Sequence, residues 1–418
     1  MATTPRTGDI GLVAAAALGV GGMMGAGLYT LLGLAATSAG VWLPVAFLLA
    51  GLAAVFSVYS YSRLGAAFPS KGGSAQFILV EFGHGVASGG INVFQYVAYL
   101  IATSLYAAGF AEYIGALAGD ALPSWASKAV GAGVVVLFTI VNILGSRLVG
   151  RAETVIVAIE ATILIAFIVL GLFKADPSRL TTSGSPSFIG VITAGALLYV
   201  TYQGFGVVAN ASGEMRQPRK ELPRAMFSAL AIVAVVYLAV STLVVMLLPL
   251  TTIVADSGHV LADAGEAVAG RLGFVVIAGA AILATASAVN ATIFAASNVG
   301  LDVAQNQQLP KLFTRNVKTR IPISLLISAV VVIALVLFFP LSAVGQMTSL
   351  AFLVVYGAVS AGHLRIRAKT KARAWPLVLA VVIFTVLLSG IGIQQGTTTI
   401  ASVSQCVLPA DSTQTTCA

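Results

Sequence analysis

Two glycine-rich stretches interrupt a chain that is otherwise strongly apolar. Residues 19–30 have the sequence GVGGMMGAGLYT, with five glycines in twelve positions, and residues 199–206 have the sequence YVTYQGFG. Glycine costs about 1 kcal/mol relative to alanine inside a helix, so the pairs Gly25/Gly27 and Gly204/Gly206 each predict a broken helix. A break exposes N–H groups that suit a carboxylate and carbonyls that suit an ammonium group or a sodium ion. The two stretches therefore predict a backbone site for a zwitterion such as an α-amino acid.

Tight helix packing is the alternative explanation for these glycines. Gly21 and Gly25 form a small-xxx-small pair, which lets membrane helices approach closely. That alternative explains one glycine-rich stretch more readily than two at matching positions.

One acidic residue, Glu160, lies in the middle of an apolar segment, RAETVIVAIEATILIAFIVLGLF. At roughly 1.5 Å per residue it lies about 14 Å beyond Arg151, close to the centre of a bilayer. A charge there costs about 2.5–3.5 kcal/mol and indicates a functional group. Glu160 is expected either to carry a proton, since burial favours the neutral acid, or to bind sodium. A protonated, hydrogen-bonded structural glutamate is the third alternative.

The composition predicts the elements that position these groups. The 418 residues are 58% hydrophobic and 9% charged, with a mean hydropathy of +1.00, whereas soluble domains have roughly 25% charged residues. Apolar runs long enough to span a bilayer recur along the chain. They predict an all-α polytopic membrane protein with eleven spans, near 12–39, 42–67, 77–112, 126–144, 152–173, 187–213, 225–248, 271–300, 322–339, 342–364 and 375–393.

The distribution of basic residues predicts the orientation of these spans. With the N-terminus in the cytoplasm, all but four of the 22 Lys and Arg residues fall at cytoplasmic ends; the four are Lys128, Lys174, Arg179 and Arg271. This asymmetry follows the positive-inside rule, so the net charge of +8 reports topology and does not indicate a nucleic-acid partner. An odd number of spans places the C-terminus outside, with Cys406 and Cys417, whose pairing the sequence leaves open.

The broken spans also predict the internal symmetry of the molecule. Each opens a block of five spans, and the second block begins on the opposite side of the membrane from the first. Interrupted helices at corresponding positions of two halves are typical of inverted repeats with a binding site at the membrane midplane. We expect one transmembrane transporter domain over residues 1–394, with repeats at about 10–175 and 186–365, an eleventh span at 375–393, and an extracytoplasmic tail at 395–418.

Four motifs resemble those of the amino acid–polyamine–organocation (APC) superfamily of permeases. GVGGMMGAGLY is similar to the first-span signature of that superfamily, and TYQGFGVVANASGEMRQPRKELPRAM is similar to its sixth-span block, with Pro218, Arg219, Pro223 and Arg224 in register. YSRLGAAFPSKGGSAQF in the second span and ATASAVNATIFAASNVGLDVAQNQQLPKL in the eighth resemble two further blocks. The resemblance covers spans one to ten and implies a LeuT-like fold of five plus five inverted spans.

The resemblance also implies roles for backbone groups. The carboxylate of the substrate would meet the amides of Ala26 and Gly27, and its ammonium group would meet the carbonyls of Met23, Val200 and Gln203. Gly25 and Gly204 complete this predicted binding set, with Tyr202. The superfamily often has an aromatic gate at the position of Val200, which Tyr199 and Tyr202 flank and could replace. Some members use an acidic residue at the position that Gly206 has in this chain, so the role of that acid does not transfer.

By the same resemblance, Glu160 lies at the position of a lysine in proton-coupled members. The amino group of that lysine takes the place of the sodium ion bound by sodium-coupled relatives. The resemblance then implies that its neighbours are the carbonyls of Gly21 and Met24 and the hydroxyl of Ser287. Proton coupling is favoured over sodium coupling, and no cofactor is expected.

The side chains away from the breaks suggest lesser roles. Gln95, Tyr96 and Tyr99 are expected either to line a side-chain pocket or to pack, and Asn142 and Asn290 to bond between helices. Glu81 and His84 are expected to cap or snorkel at a cytoplasmic end.

The sequence thus predicts a transporter of an amino acid, embedded in the inner membrane, with no obligatory protein partner. A neutral substrate is favoured because Glu160 is the one charge placed to meet it. Sodium symport and exchange of amino acids or polyamines are alternatives of the same class, and a channel or non-transporting membrane protein is an alternative of another. No H-E-x-x-H or P-loop motif supports an enzyme.

Overall fold

The computed structural model of the chain is almost entirely helical and describes residues 10–69, 73–119, 123–144, 149–181, 187–317 and 321–407. Its α-helices are α1 (Leu12–Met24), α2 (Ala26–Ala39), α3 (Leu43–Ala67), α4 (Gly73–Phe82), α5 (Val86–Leu117), α6 (Ser124–Leu144), α7 (Val149–Leu172), α8 (Phe188–Leu198), α9 (Phe205–Asn210), α10 (Pro218–Leu247), α11 (Leu250–Ala255), α12 (Val260–Gln305), α13 (Ile323–Phe338), α14 (Leu341–Thr370) and α15 (Ala374–Val407). Two strands of two residues each, β1 (Asn316–Val317) and β2 (Ile321–Pro322), pair antiparallel, with Val317 opposite Ile321.

The helices confirm the predicted class of all-α polytopic membrane protein. Nine of the described helical stretches are long and apolar enough to cross a bilayer, and the first of these, Ala26–Ala67, covers parts of two predicted spans. Leu12–Met24 and Ile323–Phe338 are shorter apolar helices. The count of eleven spans, the inverted relation of the repeats and the domain limits stay predictions.

Two boundaries differ from the sequence-based expectation. The predicted third span is divided into α4 and α5 because Gly83, at φ +73°, ends α4 in a left-handed conformation that favours glycine. The last helix continues to Val407, beyond the predicted end at 393. The rest of the expected tail, including Cys417, lies outside the described residues.

The first predicted break lies at Gly25. Gly25 (φ −61°, ψ −154°) separates α1 from α2 and serves both as the C-cap of the first helix and as the N-cap of the second. The apolar segment therefore continues as two half-helices, and each has an end at the middle of the segment.

The second predicted break has a different form. Helix α8 ends at Leu198, a 3₁₀ turn follows over Tyr199–Tyr202, and α9 begins at Phe205. Within the turn, the Gln203 amide donates to the Val200 carbonyl at 3.2 Å. The backbone therefore changes to the narrower 3₁₀ helix before Gly204 and Gly206, and does not lose its helical structure at these two glycines.

The two broken segments are packed against each other at the centre of the bundle. A Cβ at Gly204 would overlap the carbonyl group of Gly22, and a Cβ at Gly27 would come within 3.1 Å of the Thr201 Cα. Helix α3 packs against α10, and α5 packs against α12. Small residues at these positions let two interrupted helices meet backbone to backbone.

Candidate substrate site between the two broken helices

The two interruptions border one cavity of about 160 Å³, enough for several water molecules or a small organic molecule. Its walls come from α1, α2, the 3₁₀ turn, α9, α5, α7, α12 and α14. Among the described residues that line it, Glu160 is the one with a formal charge. The cavity is therefore largely apolar, with one carboxyl group and a set of backbone polar groups.

The structure brings most of the predicted site residues together. The predicted substrate residues that line the cavity are Met23, Gly25, Ala26, Gly27, Val200, Gln203 and Gly204, and the predicted ion-coupling residues that do so are Gly21, Glu160 and Ser287. Tyr202 and Met24 do not line it. Both of these side chains are buried in the protein interior.

The predicted carboxylate end of the site consists of the first amides of α2. The first N–H groups of an α-helix have no acceptor within the helix, and Ala26 and Gly27, at the start of α2, both line the cavity. The helix dipole adds partial positive charge at this end. This corner of the cavity therefore suits an anionic group.

The predicted ammonium end differs from the expectation, because its carbonyls already accept hydrogen bonds. The Tyr237 hydroxyl on α10 donates to the Met23 carbonyl and, at 3.3 Å, to the Thr201 carbonyl. The Gln203 carbonyl accepts from the Gly206 amide at 3.0 Å and from the Tyr356 hydroxyl at 3.4 Å. A carbonyl oxygen has two lone pairs, so the Met23 carbonyl retains capacity for one more donor, whereas the Gln203 carbonyl already has two donors.

Neither Tyr199 nor Tyr202, the suggested replacements for the aromatic gate, lines the cavity. The Tyr199 hydroxyl is 2.6 Å from the Ser57 hydroxyl, and the Tyr202 hydroxyl donates to the Phe47 carbonyl at 3.2 Å. Side chains three apart in a 3₁₀ helix lie on the same face. Both rings therefore point toward α3, while Val200 and Thr201 face the cavity.

Glu160 on α7 is 1% exposed and lines the cavity. Its Oε2 atom has no hydrogen-bond partner among the described residues. Val157, one turn earlier on α7, lies 3.0 Å from the position of a Cβ at Gly21, so this part of α7 packs against α1. A buried carboxyl oxygen without a partner is costly, so this atom is available to a proton or to a ligand.

Several lining residues escaped the sequence analysis. Tyr106 and Tyr356 line the cavity, and the amide nitrogen of Gln203 is 3.4 Å from the Tyr106 hydroxyl. Helix α12 presents only small side chains to the cavity: Ala284, Ser287, Ala288, Ala291, Thr292 and Ala295. Their spacing places them on one helical face, and that pattern is visible in the sequence.

The other predicted polar residues have separate positions. Tyr99 lines the cavity, whereas the Gln95 side-chain amide donates to the Ser74 hydroxyl and the Tyr96 hydroxyl is 3.0 Å from the Ser328 hydroxyl. The predicted interhelical bond is confirmed, because the Asn142 amide donates to the Asn290 side-chain oxygen at 2.8 Å.

A helical membrane protein whose central cavity lies between two broken helices belongs, as a class, with the membrane transporters. The family model described as amino acid permease matches residues 10–413. The chain belongs to that family, which confirms the resemblance to APC permeases.

Relatives of this chain have transporter names. The inner membrane transport protein YbaT of Escherichia coli is 28% identical, over 91% of this chain and 89% of the relative. The methylthioribose transporter of Bacillus subtilis is 28% identical over 71% of this chain and 67% of the relative. The vacuolar cationic amino acid transporter 4 of Arabidopsis thaliana is 26% identical over 82% and 60%. The chain is thus a multi-pass membrane transporter.

Proposed function

We propose that this protein is a secondary active transporter that carries an amino acid, with a neutral side chain, across the cytoplasmic membrane by alternating access. The observation that carries the proposal is the cavity between the two broken helices, which is lined by the first residues of α2 and by one buried carboxyl group, Glu160. The inner-membrane location rests on the YbaT relative and on the predicted orientation.

The chemistry of the cavity supports a zwitterionic ligand. The amides of Ala26 and Gly27 would hold the carboxylate, and the second lone pairs of the Met23 and Val200 carbonyls would receive the ammonium group. The small face of α12 leaves room for the side chain of the substrate. Because no second charged residue lines the described cavity, a neutral side chain fits it best.

We propose that transport is coupled to protons through Glu160. Desolvation of a carboxylate in a low-dielectric site favours its neutral form, and the Oε2 atom has no partner among the described residues that would hold the charge. Protonation from one side of the membrane and release to the other would then accompany each transport cycle.

A cationic substrate is the second candidate, and one observation favours it. The same unpartnered Glu160 oxygen that suits a proton also suits the charged side chain of a cationic amino acid. One relative is named a cationic amino acid transporter.

The test begins with a thermal-shift screen of the purified protein against amino acids, polyamines and methylthioribose. Uptake of each stabilising compound is then measured in proteoliposomes under a pH gradient and under a sodium gradient. We expect a neutral amino acid to stabilise the protein, and its accumulation to follow the pH gradient without sodium. Stabilisation by cationic amino acids alone would replace the first candidate with the second.

Two variants decide the coupling ion. Glu160→Gln is expected to retain exchange of internal for external substrate and to lose accumulation driven by the pH gradient. Ser287→Ala, the matched control, removes a hydroxyl that sodium would use and is expected to leave proton-driven uptake unchanged. Retention of pH-driven accumulation by Glu160→Gln contradicts proton coupling, and loss of sodium-driven uptake in Ser287→Ala supports sodium instead.

A further inference from the structure

A cleft separate from the substrate cavity lies on the surface of the bundle, between α3 and α10. Its volume is about 260 Å³, and its lining is apolar apart from Tyr202. Leu48 and Leu52 form an exposed rim, with 56% and 48% of their surfaces accessible, whereas Phe47 and Leu230 form a buried floor. Apolar side chains are ordinary on a surface that faces lipid, so the distinguishing feature is the concave shape. The atoms that line a hollow lose dispersion contacts unless something fills it.

The floor of the cleft includes part of the second broken segment. The Tyr202 ring lies behind Gly51 of α3, whose Cβ would come within 3.4 Å of the Tyr202 hydroxyl. That hydroxyl donates to the Phe47 carbonyl at 3.2 Å, and the ring contacts that of Tyr237 with centroids 5.1 Å apart. A molecule in the cleft would therefore support the 3₁₀ turn on the side that does not line the substrate cavity.

A second recess lies between the same two helices, at their basic end. Its volume is about 380 Å³. The residues that line it, at the end of α3 and the start of α10, are Ala66, Ala67, Pro69, Gln217, Pro218, Arg219 and Lys220. The side chains of Arg219 and Lys220 are exposed, and no acidic residue is among the described residues that line the recess. The recess therefore suits an anionic group.

The cleft and the recess lie on the same faces of both helices. From the recess to the far end of the cleft, the positions along this face of α10 are Lys220, Arg224, Phe227, Ala231, Ala234 and Leu238. Their spacings of four and three residues place them on one side of a helix. On α3, Val55 in the cleft and Ala66 in the recess are eleven residues apart, which is about three helical turns. Two helices therefore share one groove that is basic at one end and apolar at the other.

The length of this groove matches one leaflet of a bilayer. At a rise of roughly 1.5 Å per residue, Ala234 lies about 21 Å beyond Lys220 along α10. A leaflet with its headgroups is about 20 Å thick, half of a bilayer. A phospholipid with its headgroup at the recess would therefore have an acyl chain at the depth of the cleft.

The cations of the groove are available to a headgroup. No ion pair of Arg219, Lys220 or Arg224 occurs in the part of the chain that the structure describes. Glu221, the acid in the first turn of α10, accepts a hydrogen bond from the Gln217 amide at 3.2 Å instead. Cations near the membrane surface attract anionic lipids, so the charge of the groove favours an anionic over a zwitterionic headgroup.

We propose that the cleft and the recess together are a binding site for one anionic phospholipid from the leaflet at the basic end of the molecule. Its phosphate lies at the cations that begin α10, and one of its acyl chains lies between α3 and α10 against the Tyr202 ring. The site is separate from the substrate cavity, and its occupation requires neither substrate nor transport.

Native mass spectrometry of the purified protein in an uncharged detergent tests the site. Dioleoyl phosphatidylglycerol and dioleoyl phosphatidylcholine, which differ in headgroup charge and have the same acyl chains, are titrated separately. Glycerol 3-phosphate is the probe for a phosphate without a chain. We expect the protein to retain one phosphatidylglycerol about tenfold more tightly than phosphatidylcholine, and to retain no glycerol 3-phosphate.

A pair of double variants tests the headgroup end. Lys220→Gln with Arg224→Gln should remove the preference for phosphatidylglycerol. Lys311→Gln with Arg315→Gln, the matched control, removes two exposed cations at a turn that packs on α12 and α13, and it should retain the preference. Equal affinities for the two lipids in the wild type, or an equal loss in both double variants, would overturn the headgroup site.

A pair of single variants tests the acyl-chain end. Ala234→Phe fills the cleft and should weaken the binding of phosphatidylglycerol about tenfold, whereas Ala166→Phe, at an exposed position of α7, should leave it unchanged. Unchanged binding in Ala234→Phe, or retention of glycerol 3-phosphate as tight as that of the lipid, would show that no chain occupies the cleft. If Ala234→Phe does not fold, Ala231→Leu at the exposed side of the same cleft takes its place.

Thermal unfolding provides a second readout. Phosphatidylglycerol should raise the unfolding temperature of the wild type more than that of Ala234→Phe, because the acyl chain supports the 3₁₀ turn through Tyr202. An equal rise in both would contradict that support. These measurements include no transport step, so a protein that binds the lipid and carries no amino acid would overturn the proposed function alone.

Discussion

The Tyr237 hydroxyl is one hydrogen-bond donor shared by the two broken segments. Its hydroxyl bonds the Met23 carbonyl at the end of α1 and the Thr201 carbonyl in the 3₁₀ turn, and its ring packs against those of Phe47 and Tyr202. Removing a donor from buried acceptors costs about 1–3 kcal/mol. Tyr237 therefore holds the carbonyl ends in position at the candidate ammonium site.

The substitution Tyr237→Phe should lower the thermal stability of the purified protein and raise the apparent KM for the substrate several-fold, because the carbonyls it positions are left to reorient. Thermal unfolding and uptake kinetics measure the two effects.

Tyr202→Phe is the matched control for that prediction. It removes an equally buried hydroxyl that bonds the Phe47 carbonyl outside the cavity. It should cost stability without changing the KM. An unchanged KM in Tyr237→Phe would assign Tyr237 a purely structural role.

At the scale of elements, the glycines of the broken helices have unequal importance. Gly204 has no room for a Cβ because Gly22 lies against it, whereas a Cβ at Gly25 would meet only the Gly21 carbonyl, at 3.9 Å. The φ angle of Gly25 is negative, so its conformation does not require glycine either. The close approach of the half-helices thus depends on Gly22 and Gly204 more than on the residue at the break.

Gly204→Ala should therefore destabilise the protein by about 1–3 kcal/mol or more, the usual cost of overpacking, and abolish ligand-induced stabilisation. Gly25→Ala, the control with the same chemical change, should stay within about 1 kcal/mol of the wild type. The measurement is thermal unfolding in detergent with and without substrate. Equal losses in the two variants would contradict the asymmetry between the two glycines.

At the scale of the whole molecule, the basic residues orient the bundle. Short loops rich in Lys and Arg remain in the cytoplasm, and the end of α14 has Arg367 and Lys369 in its last turn. The predicted orientation therefore places the basic end of α14 in the cytoplasm.

Alkaline phosphatase, which is active only outside the cytoplasm, should report this orientation when it is inserted into single loops. We expect an insertion after Asp256 to be active and one after Arg373 to be inactive, with the opposite pattern for a fluorescent protein that folds only in the cytoplasm. The reverse result would invert the predicted topology.

The sequence alone was sufficient for the class of protein and for the positions of both breaks, and it named most of the residues that line the central cavity. Long apolar runs predict membrane spans because a bilayer leaves no water for exposed backbone groups. Glycine pairs predict breaks because glycine destabilises a helix. Backbone groups are present whatever the neighbouring side chains are, so the glycine pattern was enough to name Ala26, Gly27 and Gln203, which line the cavity. Their binding roles stay predictions.

Only the tertiary structure decided which side chains reach the cavity and which are covered. A 3₁₀ turn in place of an α-helix directs Tyr202 to α3, and distant helices supply Tyr106 and Tyr356 instead. Glu81 is buried because α14 crosses it at a glycine nearly three hundred residues away in the chain. The direction in which a side chain points, and whether it is buried, depend on contacts between segments far apart in sequence. Local residue patterns do not encode those contacts.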